Sequence, residues 1–203
     1  MPVQKAKDVK STHVAIIGKT KEGRSTYAIG LVPKEAKVLV IAFGNVEPYK
    51  NTEYDLMLFP DYAEFKKPEF LKSLKQYQAV IIDGMERLAQ DALESISGGG
   101  DISRPMWAKM GREVINLLMN IQGSVPLLIT ITLIAKEVNE ATKVEGFAIA
   151  LNRDLETRIF PLASKIAFCY TYKGDATKNE PQVMYGVQQD SMLAYKQQMM
   201  KGN

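Results

Sequence analysis

Four short runs in this sequence are apolar without alternation: His13–Ile17 (HVAII), Lys37–Phe43 (KVLVIAF), Ala79–Ile82 (AVII) and Val125–Leu133 (VPLLITITL). A strand with one wet face alternates apolar and polar residues, whereas a run with no polar beat suits a strand covered on both faces. Helix-compatible stretches fall between these runs, at Ser25–Leu31, Pro68–Tyr77, Glu86–Ile96 and Met106–Ile121. Strands that alternate with helices predict an α/β fold, a mostly parallel sheet flanked by helices. Nearer the C-terminus, Lys165–Tyr172 and Gln182–Val187 flank the loop KGDATKNEP and read as an antiparallel hairpin added at one edge. Tyr54–Phe59 reads as a short extra strand and Leu155–Leu162 as a short helix, while residues 134–152 carry no clear pattern.

The length of 203 residues suits one domain, expected over residues 12–190. Residues 1–11 read as a flexible arm and 191–203 as a frayed tail. The single cysteine, Cys169, excludes a disulfide framework and sits among strand residues as a buried thiol would. No apolar run approaches the roughly 20 residues that span a bilayer, and Met1–Lys10 lacks the apolar stretch of a secretion signal. The expected location is the cytoplasm. A net charge of +3 permits contact with nucleic acid without arguing for it.

The most informative segment follows the first apolar run: Gly18-Lys19-Thr20-Lys21-Glu22-Gly23-Arg24-Ser25-Thr26. A phosphate-binding P-loop reads G-x-x-x-x-G-K-[ST] between a strand and a helix. Both glycines and the hydroxyl residue fall at that spacing, with a strand before and a helix after. Glycines let successive backbone N–H groups curl round phosphate oxygens, and the helix aims its positive end at the same place. Ser25 Oγ is the expected Mg²⁺ ligand. Arg24 stands where lysine is usual. Its planar fork holds phosphate bidentately but is not equivalent to an ammonium, so nucleotide binding is expected to survive the change better than hydrolysis. Lys19, just after the first glycine, partly matches the loops of partition ATPases, which also keep the ordinary lysine. The bland alternative is a glycine-containing strand-to-helix turn with scattered surface charges.

A metal on such a loop needs a carboxylate at the end of a neighbouring strand. Asp83 closes the apolar run Ala79–Ile82 and supplies it, although an aspartate there could equally cap the next helix. One strand separates the loop from Asp83 in sequence. That favours the P-loop class with an inserted strand, in which the order is about 5-1-4-3-2. The fourth strand would then carry Thr130 or Thr132 at its end towards the γ-phosphate; ordinary strand propensity explains these threonines as well. Glu86, one turn past Asp83, reads as a surface helix residue that could also serve as a base.

This order of elements resembles that of the small RecA-like P-loop ATPases encoded by bacteriophages, some of them grouped with single-strand annealing recombinases. The segment LNRDLETRIFPLASKIAFCYTYKG is similar to the stretch after the fourth strand in that family. The resemblance covers roughly residues 12–190, and Gly18, Gly23, Arg24, Ser25 and Asp83 match its P-loop and Walker B positions. It implies ATP and Mg²⁺ as cofactors, single-stranded DNA as partner, assembly of several copies, and a role in recombination or replication. It also favours Glu47, after the second strand, as the water-activating base beside Asp83.

RecA-like proteins hold single-stranded DNA on mobile loops. Residues 98–112 suit this by composition, with three glycines followed by Arg104, Trp107, Lys109 and Arg112. An aromatic ring stacks a base, and the cations neutralise phosphates. The alternative is a surface loop whose Trp107 docks the next helix into the core. Arg153 and Arg158 read either as solvated arginines or as cations acting on a neighbouring copy.

Overall fold

The computed structural model describes residues 11–138, 145–151, 153–172 and 184–190. Residues 1–10 of the expected arm and the whole expected tail lie outside them. The elements are, in order, β1 (Thr12–Gly18), α1 (Arg24–Leu31), β2 (Val38–Ala42), β3 (Asp55–Leu58), α2 (Pro68–Leu74), β4 (Ala79–Asp83), α3 (Met85–Ser97), α4 (Arg104–Gln122), β5 (Leu127–Val138), β6 (Glu145–Ile149), α5 (Arg153–Leu162), β7 (Lys165–Tyr172) and β8 (Met184–Asp190).

The main sheet runs β3-β2-β4-β5-β1-β7-β8. Its first six strands are parallel, and β8 returns antiparallel to β7. With the edge strand β3 set aside, this is the expected 5-1-4-3-2 order, β7 being the fifth. The unpatterned stretch after Leu133 has a simple account. β5 runs on to Val138, past the strands beside it, and its upper half pairs antiparallel with β6.

The apolar runs are two-faced. On one face Leu39, Ile41, Val80, Ile82 and Leu128 pack with α3 and α4 residues such as Leu88, Val114 and Leu118. On the other, Val14, Ile16, Val40, Ile81, Ile129 and Ile131 lie with Ala28 of α1. Each strand alternates between two buried layers, which is why no polar beat shows in its sequence.

Four residues, 123–126, join α4 to the amino end of β5. So α4 must run down towards that end. Its 19 residues rise about 28 Å, which carries its start up to the carboxyl edge of the sheet. Midway along α4, Glu113 pairs with Lys66 of the segment that follows β3 at that carboxyl edge. Arg104 and Pro105 are already helical, so the expected loop is shorter than its composition implied.

Candidate nucleotide-binding site

The loop after β1 is shaped by two glycines. A Cβ on Gly18 would lie 2.7 Å from the Cys169 carbonyl oxygen of β7, so only glycine fits this crossing. Gly23 takes φ 77°, the left-handed turn that opens α1. Lys21, a non-glycine, also sits at positive φ, 66°. The first turn of α1 has neither a side-chain cap nor an acidic residue, so no side chain of the helix's own meets its first amides. An exposed N-terminus of this kind attracts anions.

Ser25, the second residue of α1, donates from Oγ to Asp83 Oδ2 at 2.8 Å. Asp83 ends β4, two strands away, on the same face of the sheet as α1. Tyr49 also donates to that oxygen, at 2.7 Å. It belongs to a single 3-10 turn, Glu47–Tyr49, after β2 and is buried beneath α1. Burial and the Asp83 charge push its phenol well above the ordinary tyrosine range, so it stays a donor. Sequence reasoning missed Tyr49. The faint signal was an aromatic residue in a polar connector, four positions after the asparagine of GNVEPY.

The arginine in the lysine position is half-buried. Its Cγ lies 3.2 Å from where a Gly18 Cβ would be, so its stem folds back over the loop. No carboxylate among the described residues forms an ion pair with it. The Glu22 side chain is turned inward. It is 9% exposed, and its Oε2 accepts a 2.6 Å bond from the Lys19 backbone N–H. Glu22 thus braces the loop from within, while Lys19, Thr20, Lys21 and Thr26 face outward.

Glu47 and Glu86 are placed very differently. The Glu47 side chain is 65% exposed and pairs with Lys50 at 2.5 Å. Glu86 is half-buried and accepts a 3.2 Å bond from Leu133 N–H of β5. Desolvation raises its pKa, with Asp83 adding to the rise and Arg24 opposing it.

The expectation that β5 ends at the threonines is corrected, although Thr132 stands level with Ile17, one residue before the loop. Because β5 continues to Val138, neither Thr130 nor Thr132 ends the strand. Both are buried, and Thr130 Oγ1 lies 2.9 Å from His13 Nε2 inside the sheet layer. For Trp107 it is the alternative that fails: the side chain is 38% exposed and is not part of the core. Arg104, Lys109 and Arg112 are exposed on the same first turns of α4, with Lys109 4.0 Å from Glu113. Arg158 is exposed on α5. Among the described residues no helix is long and apolar enough to cross a membrane.

A strand–loop–helix with free helix-end amides, a serine on the neighbouring strand's carboxylate and an inserted strand between them is the arrangement of a RecA-like P-loop fold. A solved structure shares that fold. A KaiC-like protein of the hyperthermophilic archaeon Pyrococcus horikoshii OT3 superposes with a TM-score of 0.52 at 11% identity, covering 89% of this chain and 79% of the other. A type III secretion system ATPase of pathogenic bacteria is less similar, at 0.49 with 13% identity over 86% of this chain and 56% of that one. No family model and no curated protein matches the sequence.

Proposed function

We propose that this chain binds ATP with Mg²⁺ on Gly18–Thr26 and couples slow, strand-dependent hydrolysis to handling single-stranded DNA. The observation that carries this reading is the 2.8 Å contact of Ser25 with Asp83. Two hard-oxygen groups distant in sequence meet beside uncapped helix amides, the donor set that suits a Mg²⁺–polyphosphate. Ser25 Oγ and, through water, Asp83 are the groups that would hold the ion, whose charge would offset that of the phosphates. Loop amides and the Arg24 guanidinium grip the phosphate oxygens. The exposed Trp107, Arg104, Lys109 and Arg112 are the surface for the strand. Assembly of several copies and a place in recombination or replication follow from the phage ATPases that the sequence resembles.

Arg24 favours a second reading: a nucleotide-binding subunit without turnover, in which the guanidinium grips ATP but does not follow the γ-phosphoryl group. Calorimetry with ATP·Mg²⁺, together with phosphate release with and without single-stranded DNA, separates the two. The enzyme reading expects strand-stimulated release that disappears in Asp83→Ala. Binding with no release, recovered in Arg24→Lys, establishes the second reading. If neither ATP nor GTP binds or raises the melting temperature, both fail, since a bound ligand must stabilise the fold.

A further inference from the structure

Resting on the nucleotide site proposed above, we infer that Glu86 is the carboxylate that takes the proton from the attacking water. Its position is set by register. Glu86 lies in the first turn of α3, three residues beyond Asp83, yet its Oε2 reaches the N–H of Leu133 on β5. Leu133 is the Cα partner of Gly18, and Ile131 is the partner of Asp83. The carboxylate therefore lies on the β4 side of β5, level with Gly18 and just beyond the end of β4, where it feels the charges of both Asp83 and Arg24. A terminal phosphate gripped by Ser25 and Arg24 would stand at this same edge, within the field that Arg24 and Asp83 share with Glu86.

The other acids of the site are engaged elsewhere. Asp83 Oδ2 accepts from both Ser25 and Tyr49. Glu22 is folded into the loop on Lys19 N–H. Glu47 is paired with Lys50 on the surface. The charged groups facing Glu86 are Arg24 from α1 and Asp83 from β4. Partial burial makes its carboxylate more basic than a solvated one, while Arg24 and the Leu133 amide keep the ionised form accessible.

The chemistry balances. The water oxygen bonds the γ-phosphorus as its proton passes to Glu86. The bond from γ-phosphorus to the bridging oxygen breaks, and its electron pair leaves with ADP. Arg24 and the α1 amides meet the charge on the leaving oxygen, and Glu86 returns its proton to solvent.

The test compares Glu86→Gln and Glu47→Gln in the full chain, by phosphate release with single-stranded DNA and by calorimetry with ATP and ADP. Glu86→Gln should lose turnover by about 10²- to 10⁴-fold, the range for a general base. It should still bind ATP, with the ATP-over-ADP affinity ratio raised roughly threefold, because a negative charge near the γ-phosphate is gone. The acid limb of the wild-type kcat profile should vanish with it. Turnover lost in Glu47→Gln and kept in Glu86→Gln would give the role to Glu47 and overturn the inference. Should Glu86→Gln fail to fold, Glu86→Asp keeps the charge but draws it back by one methylene, and about a tenfold loss is expected. Unchanged turnover in both Glu86 variants overturns the inference, as does equal loss of ATP and ADP binding with a lowered melting temperature. Wild-type chain that binds ATP but never releases phosphate overturns it while leaving the nucleotide site standing. Wild-type chain that binds no nucleotide ends both.

Discussion

The Tyr49 hydroxyl and the Asp83 carboxylate meet at 2.7 Å, joining the turn after β2 to the end of β4 directly beneath the P-loop helix. Because the same oxygen also accepts from Ser25, Asp83 is held by two donors on Oδ2, and under the proposed function Oδ1 would be the atom that meets a metal-bound water. Tyr49 is then a positioning residue. Tyr49→Phe removes one hydrogen bond to a charged group, worth roughly 1.5–3 kcal/mol. A variant in which Asp83 wanders should need about three- to tenfold more Mg²⁺ for half-maximal ATP binding, a shift within that energy. ATP binding in EDTA should not move. Equal weakening with and without Mg²⁺ would show that Tyr49 only packs.

Gly18 makes a prediction of a different kind, because its neighbour is backbone. The Cβ of Gly18→Ala would sit 2.7 Å from the Cys169 carbonyl oxygen, which is fixed by the β1–β7 ladder and cannot rotate away. The strands must part at the mouth of the loop. Overpacking of this sort costs about 1–3 kcal/mol, or a fall of several degrees in melting temperature for a chain of this size. Thermal unfolding checks it, and nucleotide affinity should drop in parallel.

These two residues also mark what a reader of the sequence could and could not reach. The P-loop glycines, Ser25 and the strand ending in Asp83 are local patterns, and so is the two-faced burial that makes each strand a continuous apolar run. The sheet order followed from the spacing of those patterns. Tyr49 was illegible because its role exists only where two distant segments meet. Glu86 looked like a surface residue because α3 is strongly amphipathic, and nothing in its sequence shows that Leu133 N–H lies above that turn. Thr130 and Thr132 misled for a related reason. Strand propensity does not reveal where β5 ends, and its pairing with β6 carries it five residues past Leu133, the residue level with Gly18.

His13 should make the protein acid-sensitive. It is fully buried against Thr130, and desolvation lowers its pKa to about 4 from 6.5. The folded state thus keeps His13 neutral while the unfolded chain takes up a proton as pH falls below 6.5. More protons are bound in the unfolded state, so stability decreases as pH falls between those two values. The loss between pH 7 and pH 5 is about 2 kcal/mol. Urea unfolding at the two pH values measures it. The double variant His13→Val, Thr130→Val, which removes both polar partners together, should flatten that part of the profile.

The surface proposed above for single-stranded DNA can be tested by separating stacking from charge. Trp107 is 38% exposed although tryptophan usually buries most of its surface, and Ile102, 50% exposed, lies in the connection before it. Arg104 lies one turn before this ring, and Lys109 and Arg112 are exposed on other sides of the same first turns of α4. If bases stack on the ring, Trp107→Ala should weaken binding of an oligodeoxythymidine by about 1–3 kcal/mol, with the salt dependence unchanged. Replacing Arg104, Lys109 or Arg112 by alanine should act oppositely, lowering the slope of log K against log salt by about 0.7 for each phosphate no longer neutralised. Lys109 should count least, because Glu113 lies 4.0 Å from its ammonium and already offsets part of its charge. Fluorescence anisotropy over a salt series yields both quantities for each variant. A tryptophan variant that binds as tightly as wild type, or cation variants with the wild-type slope, would move the strand to another face of the molecule.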